Sequence, residues 1–202
     1  MTYNYSHKQA GFSLVETLVA ITILLIVITG PLTLVSNSAR STNFANDQVM
    51  ANFLAQEGLE LAQAARDDLL IPTFASAGAP NAAWNAFTDT GSSGRYRSCF
   101  TTAGCGFDQN TNSSGTIVVY SCQTGGGTGC RLYPNTDPEA RSQYTHVVPP
   151  STVPSRYTRR VTMTQSLTGQ VEVVSRVTWR SDGQRAEQSV EAVTYLFNVY
   201  GR

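Results

Sequence analysis

The sequence is poor in the residues that most catalytic and nucleic-acid-binding sites require. Of its 202 residues only two are histidine and only one, Lys8, is lysine, against 13 arginines. Charged residues make up 14% of the chain, where about 25% is usual. Basic and acidic residues balance at 14 each, and this argues against nucleic-acid binding, which needs a basic footprint. Two histidines also leave almost no candidates for a His-based catalytic triad or a histidine zinc motif.

Hydroxyl-bearing residues and cysteines indicate an exported protein. The chain has 19 Ser and 24 Thr, and its four cysteines all lie in one window, at Cys99, Cys105, Cys122 and Cys130. A surface solvated mainly by hydroxyls fits an extracellular protein, in which an even number of cysteines indicates disulfides. A four-thiolate zinc site is the alternative, although its ligands normally come in pairs two to four residues apart. Pairing of sequence neighbours is the simplest of the three connectivities.

A long apolar run near the N-terminus is the strongest single signal. Residues 17–39 carry no charge, and a run of this length can cross a hydrocarbon core of about 30 Å. The preceding residues hold Lys8 and no acid, which favours an N-terminus inside and a C-terminus outside. A secretory signal peptide is the alternative. The length of the run, the lack of a cleavage site after Val35 and the carboxylate of Glu16 in its first turns all argue against it.

The residues around this carboxylate resemble a known pattern. Residues 11–16, GFSLVE, followed by TLVAITILLIVITGPL, resemble the N-terminus of type IV pilins and of the pseudopilins of type II secretion. The resemblance implies that a prepilin peptidase cuts between Gly11 and Phe12 and methylates the new amine of Phe12. It also implies that Glu16 neutralises the Phe12 ammonium of a neighbouring subunit during assembly, which offsets the cost of burying both charges.

The resemblance also divides the chain. It implies a leader over residues 1–11, a transmembrane or filament-core helix over 12–39 and an extracytoplasmic head over 40–202. Gly30 and Pro31 interrupt the apolar run, and the proline predicts a kink. In the family such a kink marks where the packed helix unwinds, whereas an ordinary kink in a membrane helix is the alternative.

Hydrophobic periodicity predicts the fold of the head. The amphipathic half of the long helix is predicted over residues 40–70, so that one helix runs from about Phe12 to Leu70 and Pro72 ends it. Its apolar stripe at helical spacing comprises Met50, Leu54, Gly58, Leu61, Ala65 and Leu69. We expect an irregular αβ-loop over residues 71–115, with a short helix at 80–87 in which Trp84 and Phe87 share a face. The sheet region is 116–202, with strands predicted at 116–121, 157–166, 171–180 and 186–199. The predicted fold class is α+β, a pilin-like roll in which one long helix packs on an antiparallel sheet.

Few residues of the head invite a chemical interpretation. His146 stands beside Val147 and prolines and is expected to be a surface or packing residue. Arg156, Arg159 and Arg160 form the one basic cluster, which we interpret as the solvated edge of a strand. No catalytic residue, cofactor or metal ligand is predicted.

These patterns favour a structural subunit, a minor pilin of a type IV pilus-like filament, rather than an enzyme. Its expected partners are other pilin subunits, the prepilin peptidase and the assembly platform in the membrane, with no nucleic acid. It would be a single-pass cytoplasmic membrane protein before assembly and part of a cell-surface or periplasm-spanning filament afterwards. One alternative is a pseudopilin of a secretion or DNA-uptake system. Another, of a different class, is a signal-anchored surface binding domain or hydrolase.

Overall fold

The computed structural model describes residues 11, 13–72, 79–109, 117–123, 129–135, 144–148, 153–181 and 186–199. The chain divides into two compact units, residues 1–45 and residues 46–202. Helix α1 spans Leu14–Leu70, so its first part belongs to the first unit and its last part to the second. The predicted long helix is confirmed over this range, whereas Phe12 lies outside the described residues. A short 3-10 turn at residues 71–72 follows the helix, where Pro72 prevents its continuation.

The face of α1 that is buried in the head consists mainly of small residues. The predicted stripe is right at Leu54, Gly58 and Ala65, but its other positions are only partly buried. The other buried positions of α1 are Ala51, Ala55, Ala62 and Leu70. Because alanine and glycine have little or no side chain, the helix backbone can approach the sheet closely, and long apolar side chains flank the contact instead of filling it.

An antiparallel sheet forms the other layer of the head. Its five strands lie in the order β2-β1-β5-β6-β7, and they are β1 (Cys105–Gln109), β2 (Ile117–Ser121), β5 (Tyr157–Leu167), β6 (Gln170–Trp179) and β7 (Gln188–Phe197). A separate two-stranded ladder joins β3 (Tyr133–Pro134) to β4 (Tyr144–Thr145). Strands β5 to β7 form a meander, in which the β6–β7 register is continuous and the β5–β6 register shifts between Thr164 and Leu167. The α+β class is thus confirmed, with the helix against an antiparallel sheet in a pilin-like arrangement.

The meander follows the predicted alternation. On β6 the side chains of Val171, Val173, Val177 and Trp179 are buried, whereas Arg176 is exposed. These valines pack against the small-residue face of α1 and against the residues around Trp84 and Phe87 in two adjoining cores. Each buried valine or leucine contributes about 1.5–3 kcal/mol relative to an exposed one, so this packing is the main source of stability in the head.

The region predicted as irregular, residues 71–115, holds more structure than expected. Helix α2, Ala79–Phe87, confirms the short helix, and Trp84 and Phe87 are both buried. The prediction missed a 3-10 turn at Arg97–Phe100 and strand β1, which lies between β2 and β5. The sequence CGFDQ of β1 does not alternate because its first four residues are all buried, Asp108 among them. A strand covered on both faces shows no period-two pattern.

Candidate functional site

The N-terminal motif lies at the start of α1. The Ser13 carbonyl accepts hydrogen bonds from the backbone N–H groups of Glu16 and Thr17 at 3.0 and 3.2 Å. Glu16 therefore lies in the first turn of the helix, where its side chain is exposed. A carboxylate in this turn interacts favourably with the positive end of the helix dipole. Among the residues that the structure describes, a Cβ added at Gly11 would meet no atom within 4 Å.

The first part of α1 is apolar on every side. All large apolar side chains between residues 14 and 35 are at least 47% exposed in the single chain. The helix is long and apolar enough to cross a membrane by length and composition, and none of its most apolar window is buried. A helix that is apolar all round requires lipid or other apolar helices around it.

The threonines of this segment satisfy their own hydrogen bonds. Their side chains donate to the carbonyl oxygens three residues earlier at 2.7–3.0 Å, and they are Thr17, Thr22, Thr29 and Thr33. A hydroxyl without a partner costs several kcal/mol in hydrocarbon, so these internal bonds make the segment compatible with an apolar environment. Pro31 lies inside the same helix and removes one backbone donor; whether it kinks the helix stays a prediction.

Gly11, the carboxylate of Glu16 and the apolar part of α1 thus follow one another within one short segment. Residues 6–30 match the family model of the prokaryotic N-terminal methylation motif. This motif is the signature of type IV pilins and pseudopilins, so the chain has the N-terminus of a pilin-like precursor anchored in a membrane. No curated protein and no solved structure matches the chain.

Two disulfides brace the pilin-like head. Cys99 is joined to Cys105 and Cys122 to Cys130, with Cα atoms 4.6 and 5.0 Å apart. The first bridge ties the 3-10 turn to β1, and the second closes the loop after β2. Among the described residues no group of three or more His, Cys, Asp or Glu side chains is placed to hold a metal ion.

The basic cluster is not a solvated edge, and this prediction was wrong at Arg159. Its side chain is fully buried, whereas Arg156 and Arg160 are exposed. The Arg159 guanidinium donates to Glu57 Oε2 at 2.6 Å and to the Phe107 carbonyl at 3.0 Å. These bonds join α1 to the sheet. Burial of this arginine is possible because its charge is paired and hydrogen bonded.

His146 is buried, as the packing alternative of its prediction has it, but its pairing with Asp108 was not predicted. The ring of His146 is held by Asp108 of β1, with Nδ1 2.7 Å from Oδ1, while the backbone N–H of His146 donates to Oδ2 at 2.6 Å. Burial opposes ionisation of Asp108, but the hydrogen bonds and charge of His146 outweigh it and lower the pKa of Asp108. The other ring nitrogen lies 3.4 Å from the Arg159 carbonyl, so the ring contacts the protein through both nitrogens. We interpret this pair as a clasp that fixes β4 and residues 146–148 to β1.

The clasp depends on a glycine that faces the imidazole ring. A Cβ added at Gly106 would lie 2.5–2.8 Å from three atoms of the His146 ring, which is too close for any real side chain. The ring of Tyr120, the cross-strand partner of Gly106, stacks with the His146 ring at 6.1 Å between centroids. The sequence signal for this site was weak, because His146 lies 38 positions after Asp108 and no characteristic spacing links it to Gly106 and Asp108.

Asp47 connects α1 to the start of β5. Its carboxylate accepts hydrogen bonds from the Arg156 guanidinium, the Tyr157 hydroxyl and the Ser181 hydroxyl at 3.0, 3.1 and 2.7 Å. Burial and the adjacent Asp47 carboxylate raise the pKa of Tyr157 above its usual range, so the phenol remains a donor at any physiological pH. Together with Arg159, this contact fixes the register of the helix on the sheet.

Proposed function

We propose that this chain is the precursor of a minor pilin, a structural subunit of a type IV pilus-like filament. The observation that carries the proposal is the combination of the methylation motif with a helix segment whose large apolar side chains are exposed among the residues that the structure describes. Such a surface is stable in lipid before assembly and among the helices of other subunits afterwards.

In this proposal the prepilin peptidase cleaves after Gly11 and methylates the amine of Phe12. Glu16 then pairs with the Phe12 ammonium of a neighbouring subunit and sets the axial position of the incoming helix. Supporting this role is the exposure of Glu16 in the first helical turn. An unpaired carboxylate within an apolar packing is costly, so a subunit placed out of register is disfavoured.

The precursor is placed with its N-terminus in the cytoplasm and its head outside. The sign of the charge before the apolar run supports this orientation, and so do the two disulfides, which persist in an oxidising compartment. The partners are other pilin subunits, the peptidase and the membrane assembly platform, and no catalytic step is assigned to the chain itself. A pseudopilin of a secretion or DNA-uptake system has the same helix and is the second candidate.

The decisive experiment is expression of the full chain with and without a prepilin peptidase, followed by mass spectrometry of the N-terminus. We expect a mature start at Phe12 that carries one additional methyl group, and no processing without the peptidase. Gly11→Val, which puts a branched side chain at the cleavage site, should remain uncut. An N-terminus at Met1 in the presence of active peptidase would refute the proposal in favour of a signal-anchored binding domain or hydrolase.

Assembly is tested separately in cells that produce the filament. Glu16→Gln keeps the shape of the side chain and removes its charge, so it should be processed normally but excluded from sheared filaments. Glu60→Gln, at an exposed position of α1 in the head, is the matched control and should be incorporated as the unaltered chain is. Equal incorporation of both variants would contradict the role of Glu16. Presence in a surface pilus fraction, rather than in the envelope alone, distinguishes a pilin from a pseudopilin.

A further inference from the structure

A cleft of about 370 Å³ lies on the face of the sheet opposite to α1. Its floor is formed by side chains of β5, β6 and β7, including Thr162, Thr164 and Val174. Its wall is the turn after the 3-10 helix, with Phe100, Thr101 and Thr102. The volume falls within the range of about 300–1,000 Å³ that small-ligand sites occupy.

The cleft has one uncompensated positive charge. Arg160 and Arg176 stand directly opposite each other on β5 and β6, and two like charges in this position repel. Glu191 of β7 forms an ion pair with Arg176. Arg160 is exposed, and its side chain makes no ion pair or hydrogen bond with any residue that the structure describes. An anion in the cleft would therefore be attracted by the guanidinium of Arg160.

The free hydrogen-bonding groups around this arginine are hydroxyls. Within the described part of the chain, the side chains of Thr102, Thr162 and Thr164 have no hydrogen-bond partner. A hydroxyl both donates and accepts, so this lining suits a ligand that itself carries several hydroxyl groups. The ring of Phe100 adds an apolar surface beside them.

The wall of the cleft is held in place covalently. Phe100, Thr101 and Thr102 all lie within the ring closed by the Cys99–Cys105 disulfide, both of whose cysteines are fully buried. The ring ends with Gly104, which has a φ of +71°, a conformation that favours glycine. The Arg160 side chain passes over Gly104, where a Cβ would lie 2.6 Å from Arg160 Cγ. The turn thus positions Arg160 as well as the wall, and preorganisation of this kind favours binding.

We propose that this cleft binds an acidic sugar, a hexuronate residue of a polysaccharide. Arg160 would contact the carboxylate, the threonine hydroxyls would bind the ring hydroxyls and Phe100 would cover an apolar face of the pyranose. An acidic peptide also offers a carboxylate and backbone groups that can bond to hydroxyls, but it lacks the apolar ring face that Phe100 would cover. The proposal is independent of whether the chain enters a filament.

Titration calorimetry on the full chain in detergent micelles tests this site with a trimer of galacturonic acid. We expect saturable binding to the unaltered chain and none of a neutral galactose trimer. Arg160→Met keeps the aliphatic stem over Gly104 and should weaken binding about tenfold or more, because a charge-assisted contact is lost. Arg180→Met, at another exposed arginine, is the matched control and should bind as the unaltered chain does.

A second variant tests the hydroxyl lining without a change of charge. Thr162→Val keeps the shape and β-propensity of the side chain and should weaken binding of the trimer several-fold. Absence of binding to the unaltered chain would overturn the proposal, as would equal binding of the neutral trimer. Tighter binding of a triglutamate peptide than of the galacturonate trimer would also overturn it and would identify the cleft as an acidic-peptide site.

Discussion

Arg159→Ala should be among the most destabilising substitutions in the head. The Arg159 side chain is 1% exposed, and its partner Glu57 is 27% exposed. Removal of the guanidinium leaves the carboxylate of Glu57 and the carbonyl of Phe107 without their donor. Breaking a buried ion pair from one side costs about 3–5 kcal/mol. Because Glu57 retains some contact with water, we expect a loss near the lower limit, about 3 kcal/mol of the free energy of unfolding.

Tryptophan fluorescence during urea denaturation measures this loss. Both tryptophans, Trp84 and Trp179, are buried in the head, so their emission reports unfolding of the head and is insensitive to the membrane helix. With a urea slope of about 2 kcal/mol per M, a loss of about 3 kcal/mol lowers the midpoint by about 1.5 M. Arg180→Ala, at an exposed arginine, should change the midpoint little. An equal effect of both substitutions would refute the reasoning.

The pairing itself is measured by a double-mutant cycle. In Glu57→Gln the Arg159 charge stays buried with a neutral partner, so this variant should also be destabilised. The cycle is completed by Arg159→Met alone and by the double variant Arg159→Met, Glu57→Gln. The double variant removes both charges and should recover part of the loss, because no buried charge is then left unpaired. Strict additivity of the two single effects would show that the residues act independently.

Three further predictions concern contacts within the head. Gly58→Ala should be destabilising although alanine favours helix by about 1 kcal/mol, because the new Cβ would clash with the buried Ser175 hydroxyl. Ser175→Gly in the same chain should recover only part of the lost urea midpoint, because the close contact with Arg159 Cδ remains and glycine weakens a strand interior. The pKa of Asp108 is lowered in the folded chain, so its ionised form stabilises the fold above the unfolded-state pKa of about 3.9. This stability is lost as pH falls through the native pKa. Asp108→Asn should therefore reduce the dependence of the unfolding free energy on pH in this acid range. Loss of the Cys99–Cys105 bridge, by paired serine substitutions, should cost about 2–3 kcal/mol, and unchanged thermal stability would contradict it.

The elements that sequence analysis predicted have local signals. The methylation motif is a placed charge and a glycine beside an apolar run, all within one short segment. Strands β5 to β7 alternate because one face packs on the core and the other meets solvent, and each turn between them carries Gly or Asp. Such patterns are legible without knowledge of the rest of the chain.

The missed features depend on partners that are distant in sequence. Arg159 is buried because Glu57, 102 positions away, reaches it. His146 is buried because it pairs with Asp108, which lies 38 positions earlier. Asp108 belongs to β1, and this strand shows no alternating pattern in the sequence because it is covered on both faces. Sequence patterning did not identify alanine as the main residue of the helix–sheet contact, because alanine is only modestly hydrophobic. Alanine contributes here because its small side chain lets the helix backbone approach the sheet closely.

The hydrogen bonds of the threonines in the apolar part of α1 affect how this helix can move from one apolar environment to another. Each of their hydroxyls is already bonded to the carbonyl one turn earlier, so none needs a bond to an outside group. A helix of this kind can exchange lipid tails for protein side chains without breaking or making a hydrogen bond at these positions. Under the proposed function, these threonines therefore add no hydrogen-bonding cost to the transfer of the helix from lipid into a filament.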